Sequence, residues 1–196
     1  MIALKDTSNK TVVKSRKSSS QQAYFFQEVI EGLQDGILIL TETGELVHAN
    51  ASAYRICCQM NQSRSTLNFV PSDIWHICQS LIESRSFFAD KIMILYNEIV
   101  LDKSSIFLIR VRWLDLQQFS QPCLLVTIEN RYESLKNAVQ VDVIKYELTP
   151  RESEIWLLYR ANWSYKEIAD RLYISLNTVK KHMKNIHAKR QAFCGS

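Results

Sequence analysis

The apolar positions of this chain change period as it is read from the N-terminus. Residues 1–22 show no sustained apolar period and are rich in Ser, Lys, Thr and Gln, the composition of a disordered tail. From Ala23, Phe25 or Phe26, Val29, Ile30 and Leu33 recur at spacings of three and four, which predicts a helix with one apolar stripe. Gly36–Thr41 is a short apolar run, and Glu45–Ala49 follows it across Thr43-Gly44. A hairpin is expected there, because Gly accepts the positive φ that a tight turn demands. Asn50 is placed to cap a helix over residues 51–60, and Ser72 to cap one over Asp73–Glu83 with Ile74, Ile77, Cys78 and Leu81 as its apolar face. Lys91–Leu101, Ile106–Leu114 and Cys123–Glu129 read as strands. In the second, Phe107, Ile109, Val111 and Trp113 alternate with Arg110 and Arg112; in the third, Leu124, Val126 and Ile128 alternate with Thr127 and Glu129. Alternation with charges outward predicts an antiparallel sheet wetted on one face.

Beyond the strands the period returns to that of a helix. Tyr132, Leu135 and Val139, continued by Val143 and Tyr146, predict a connector helix over residues 131–147, although Val139–Val143 also alternates as a strand would. Helix is preferred because Leu135 and Ala138 precede that stretch without a breaker. Such a seam suits pairing between two chains or packing on the chain's own sheet. Thr149-Pro-Arg-Glu152 and Ser164-Tyr-Lys-Glu167 are capping boxes, in which the hydroxyl accepts a backbone N–H and the Glu reaches back. Ser175 is a third cap. The three helices so opened place Ile155, Leu158 and Tyr159, then Ile168, Ala169 and Leu172, then Val179, Met183 and Ile186 inward. The last two are joined by Tyr173-Ile174-Ser175, a helix-turn-helix spacing, and Lys180, Lys181 and Lys184 fall on the outer face of the final helix.

Composition narrows the chemistry. Four Gly in 196 residues leave no glycine-rich nucleotide loop and no nucleophile elbow, and no nucleophile–base pair or metal triad is readable, so an enzyme is not expected. The formal net charge of +4 hides a division: +4 over Met1–Ser20, −5 over Gln21–Glu147 and +5 over Leu148–Ser196. A polyanion would therefore meet an end of the chain. Lys189 and Arg190 extend the basic character just past the three lysines. The five Cys contain no CxxC pair, and only four residues precede the first charge, short of a secretory apolar core. A cytoplasmic protein with reduced thiols, no membrane segment and no bound metal is expected.

Two resemblances follow from these residues. Asp35–Ile56 (DGILILTETGELVHANASAYRI), with the three later strands, resembles a PAS domain, in which a hairpin leads through an Asn into a short helix. Leu148–Lys189 resembles the LuxR/GerE-type DNA-binding domain of bacterial transcription regulators. The positions that carry it are Leu148-Thr-Pro-Arg-Glu152, Lys166-Glu-Ile-Ala169, Leu172, Ile174-Ser175, Thr178-Val-Lys180, His182, Ile186 and Lys189. The expected architecture is an α+β PAS-like sheet with flanking helices over 23–130, the connector, and an all-α helix-turn-helix domain over 148–196. The second resemblance implies a four-helix domain whose third helix enters the major groove of a two-fold operator, as a homodimer on double-stranded DNA. It assigns base contacts to Lys180, Lys181 and Lys184, and phosphate contacts to Thr178, Lys166 and the capped helix N-termini, with His182 near the start of the reading helix as a further DNA-binding candidate. Asn162 stands where the family has Gly in the first helix–helix turn, and Asn tolerates φ > 0. Arg190–Ser196 leaves room for one or two turns where the family's fourth helix begins.

The first resemblance implies a sensing or dimerising unit that takes a small-molecule or protein signal. No cofactor is expected. Some PAS proteins hold a heme ligand on the helix before the strands, and His76 is the residue of this chain in that place. Two other functions stay open at this point: a PAS-mediated protein-interaction adaptor, and a heme-bearing sensor with weak DNA binding.

Overall fold

A computed structural model describes residues 21–62, 69–85, 93–115 and 121–194. The expected tail lies outside the described residues except for Gln21 and Gln22, which begin the first helix, α1, over residues 21–31. Strands β1 (Gly36–Leu40) and β2 (Leu46–Ala49) follow, then helices α2 (Ala51–Gln62) and α3 (Ser72–Ser84). Three long strands complete a five-stranded antiparallel sheet: β3 (Ile94–Asp102), β4 (Ser105–Leu114) and β5 (Cys123–Asn130), in the order β2-β1-β5-β4-β3. Helices α4 (Arg131–Lys145), α5 (Pro150–Arg160), α6 (Tyr165–Leu172) and α7 (Leu176–Cys194) end the chain. Contacts group residues up to Pro71 with Trp113–Thr127 as one compact unit, and Ser72–Arg112 with Ile128–Ser196 as another.

The sheet follows from the alternation. Leu38, Leu40, Phe107, Ile109, Val111, Leu124, Val126 and Ile128 are all fully buried, while Arg110 and Arg112 are exposed on the opposite face. Opposite Arg110 in the ladder lies Tyr96, and opposite Arg112 lies Ile94. The β1–β2 hairpin turns at Gly44, whose φ of 85° needs the missing side chain. One register irregularity, between Ile39 and Leu40, absorbs the twist beside it.

Asn50 joins the first helix to the hairpin and to α2. It is fully buried, and its Oδ1 accepts from the N–H groups of Ile37 and Ala53, both at 2.9 Å. Its Nδ2 donates to the carbonyls of Ile30 and Asp35, both at 3.0 Å. The helix cap expected at this position is therefore one arm of a four-bond clamp.

The apolar stripe of α1 is not spent inside the protein. Tyr24 is 69% exposed, Phe25 59% and Phe26 55%, and Val29 and Leu33 are also open to solvent.

The connector is a helix, and β5 runs into it with no loop. Asn130 is the last residue of β5 and the N-cap of α4, accepting from the N–H groups of Tyr132 and Glu133. The apolar seam of α4 packs on the core of the last three helices. Val139 is 1% exposed within the core of the last three helices, and Leu135, Val143 and Tyr146 pack against the same core. The reason is polar as well as apolar: Asp142 accepts from Trp156 Nε1 at 2.8 Å and from Arg160 at 2.9 Å, which locks α4 onto α5.

Candidate nucleic-acid interface

The C-terminal helices are positioned by their caps. Thr149 and Ser164 each close a capping box with Glu152 and Glu167, as the sequence requires. Ser175 Oγ accepts the Thr178 N–H at 3.1 Å and opens α7. Asn162 takes φ of 61° in the first turn, the conformation expected of it. Tyr173, between α6 and α7, also sits in the left-handed region at φ 53° and is 95% exposed.

Core positions follow the sequence pattern with one exchange. Ile155, Ile168, Val179 and Ile186 are fully buried, and Leu158, Ala169 and Met183 nearly so. On α5, Trp156 and not Tyr159 completes the inward face: its indole is 1% exposed, whereas Tyr159 is 38% exposed and stacks on it at 5.6 Å between centroids. Asp142 explains the choice, because it gives the buried indole N–H a partner that its burial requires.

The third helix, α7, runs as one helix to Cys194. The fourth helix packed on this core is α4, which comes before it in the chain. Phe193, near the end of α7, meets Tyr146 edge-on at 5.7 Å.

Glu152 ties the beginning of α5 to α7. It is 3% exposed and accepts from Lys189 Nζ at 2.8 Å and from the Thr149 N–H at 2.9 Å. Burial pushes its carboxyl pKa up, but the bonds from Lys189 and Thr149 outweigh that and hold it below the ordinary carboxylate value.

This accounting divides the nine bases of Leu148–Ser196 into two groups. Lys189 is committed to Glu152 and the Glu147 carbonyl. Arg190 lies over Trp156 and Tyr146, Arg171 over Trp163, Arg160 bonds Asp142, and Arg151 bonds Glu154 and the Leu172 carbonyl. The basic extension read from Lys189 and Arg190 is thus structural, since both turn back onto the domain's own carboxylate and rings. Lys166, Lys180, Lys181 and Lys184 are exposed and engage no ion pair among the described residues. Three of these four lie on α7, on the side away from Val179, Met183 and Ile186.

The remaining sequence candidates are placed less openly. Thr178 is half-buried, with its hydroxyl bonded to Ser175 Oγ at 2.8 Å. His182 is half-buried, with Nδ1 enclosed and without a hydrogen-bond partner. His76 is exposed on α3 and lines a surface groove with Asp73, Ser80, Tyr96 and Glu98. Ile74, Ile77, Cys78 and Leu81 form the buried side of that helix, and His76 lies on its exposed side. Burial pushes the thiols of Cys57 and Cys78 up to about 12, which leaves both inert at neutral pH. Among the described residues no group of His, Cys, Asp or Glu is arranged to hold a metal, and no helix is long and apolar enough to cross a membrane.

Asn177, which the sequence reading did not single out, is exposed in the first turn of α7, ahead of the three lysines and at i, i+4, i+7 spacing with Lys181 and Lys184.

Comparison with known proteins agrees with the C-terminal assignment. Residues 146–192 match the family model described as "Bacterial regulatory proteins, luxR family". These helices are a DNA-binding domain of the kind found in transcription regulators. A comparison with curated proteins returned no significant match. Solved structures similar to the chain include the PAS domain of nitrogen regulation protein NR(II) from Vibrio parahaemolyticus, at 14% identity and a TM-score of 0.33, covering 53% of this chain and 95% of that one. A PAS domain from Desulfitobacterium hafniense is 19% identical with a TM-score of 0.34, covering 51% and 95%. The phage VqmA–DPO complex is 13% identical with a TM-score of 0.38, covering 88% of this chain and 83% of that one.

Proposed function

We propose that the chain is a cytoplasmic transcription regulator that binds operator DNA as a homodimer, with α7 in the major groove and the sheet unit receiving a small-molecule or protein signal. The observation that carries the reading is the charge accounting: of nine bases in the C-terminal region, the four left unpaired are Lys166, Lys180, Lys181 and Lys184. Lys180, Lys181 and Lys184 share the outer face of one capped helix, the size and shape that a major groove admits, where ammonium groups reach guanine O6 and N7. Lys166, exposed in the first turn of α6, is placed for a phosphate. Thr178 and His182 flank the reading face and steady its start. The exposed aromatic stripe of α1 supplies a surface on which two copies can meet, and a two-fold operator requires two copies.

A gel-shift titration tests this directly. The joint change Lys180→Ala, Lys181→Ala and Lys184→Ala is expected to abolish specific binding, since each good base contact carries about 1–3 kcal/mol. Unchanged binding by that variant, with thermal unfolding also unchanged, rejects the assignment.

A further inference from the structure

We infer that Asn177 reads an adenine in each operator half-site, so that the preferred half-site places an A·T pair among guanines; this rests on the DNA reading proposed above. The geometry comes from the helix. At 3.6 residues per turn, successive side chains are about 100° apart. Viewed down α7, Lys184 falls about 20° to one side of Asn177, Lys181 about 40° to the other, and Lys180 about 60° away. Val179, Met183 and Ile186 point to the opposite side and are buried. Asn177 therefore sits at the angular centre of the exposed face, one residue inside a helix that begins at Leu176. The first residues of a reading helix are the ones that reach base edges.

Its chemistry differs from that of its neighbours. A lysine ammonium only donates, so it suits guanine, which shows two acceptors in the major groove. The Asn amide carries a donor and an acceptor in one plane, which matches the N7 acceptor and N6 donor of adenine. A structural role does not account for this side chain. Ser175 already provides the cap, by accepting the Thr178 N–H at 3.1 Å. Asn177 makes no hydrogen bond among the described residues and is exposed. Asn is also a weaker helix former than Ala, so Asn177→Ala leaves the fold intact.

Selection of bound DNA from a random pool, run in parallel on the full-length protein and on Asn177→Ala, tests the inference. The expected result is a conserved adenine in each half-site selected by the parent protein. The variant should lose that preference, keep the guanine positions, and bind the parent site about tenfold more weakly, with its melting temperature unchanged. Identical pools from the two proteins overturn the role of Asn177 and leave the DNA reading standing. A parent protein that enriches no sequence at all overturns both.

Discussion

Asn50 and Glu152 show how much a single buried polar side chain decides here. Asn50 satisfies two donors and two acceptors drawn from α1, β1 and α2. Asn50→Ala strands those backbone groups away from water, and each such group costs about 1–3 kcal/mol. A loss of roughly 3 kcal/mol is expected, read as a lower midpoint in urea unfolding. Glu152 gives a pH signature. Its folded-state pKa lies below that of the unfolded chain, so its contribution is complete above the ordinary carboxylate value and disappears as pH falls through the depressed one. Thermal unfolding of the parent protein and of Glu152→Gln should differ most near neutral pH and converge as the pH falls through the depressed pKa of Glu152, below the ordinary carboxylate value. The capping half of both sites was readable in the sequence, because Asn at a helix start, and Thr with Glu three positions on, are local signals. The rest was not. Asn50 bonding Ile30 and Glu152 bonding Lys189 are long-range partnerships that no spacing rule encodes.

Elements of this chain were legible wherever one apolar face had one destination. The interior faces of β4 and β5 came from period-two alternation, and the α6–α7 pair from capping residues and helical spacing. The connector was ambiguous for a physical reason: its seam could serve any apolar surface, and the one it covers lies on α5. Val139→Ala removes two methyl groups from that core. A loss of about 2 kcal/mol is expected. It should appear as earlier unfolding of the C-terminal helices, reported by the fluorescence of the buried Trp156. The α6–α7 turn offers a gain. Tyr173 is held at φ 53°, where a residue with a Cβ is disfavoured by about 1–2 kcal/mol. Glycine there relieves the strain but adds about 0.5–1 kcal/mol of unfolded-chain freedom. Tyr173→Gly is therefore expected to raise stability by at most about 1 kcal/mol in the same urea experiment.

For the whole molecule, charge and exposed apolar surface point to different partners. The four exposed lysines of the C-terminal helices, doubled in the proposed dimer, release at most about eight counterions. Changing all four to Ala should therefore flatten a plot of log K against log salt by no more than about 7 in slope. The α1 stripe is a separate matter. Its three aromatic side chains offer about 150–250 Å² each and are more than half exposed. That makes a patch of the size that soluble chains reserve for a partner. Phe25→Glu with Phe26→Glu is expected to shift the protein from dimer to monomer in light scattering and to weaken binding to a two-half-site operator. Binding to a single half-site should be spared. The junction at Asn130 bears on how a signal could travel. This one residue closes β5 and caps α4, and Asp142 and Val139 hold α4 on α5, so the strand passes into the connector without an intervening loop.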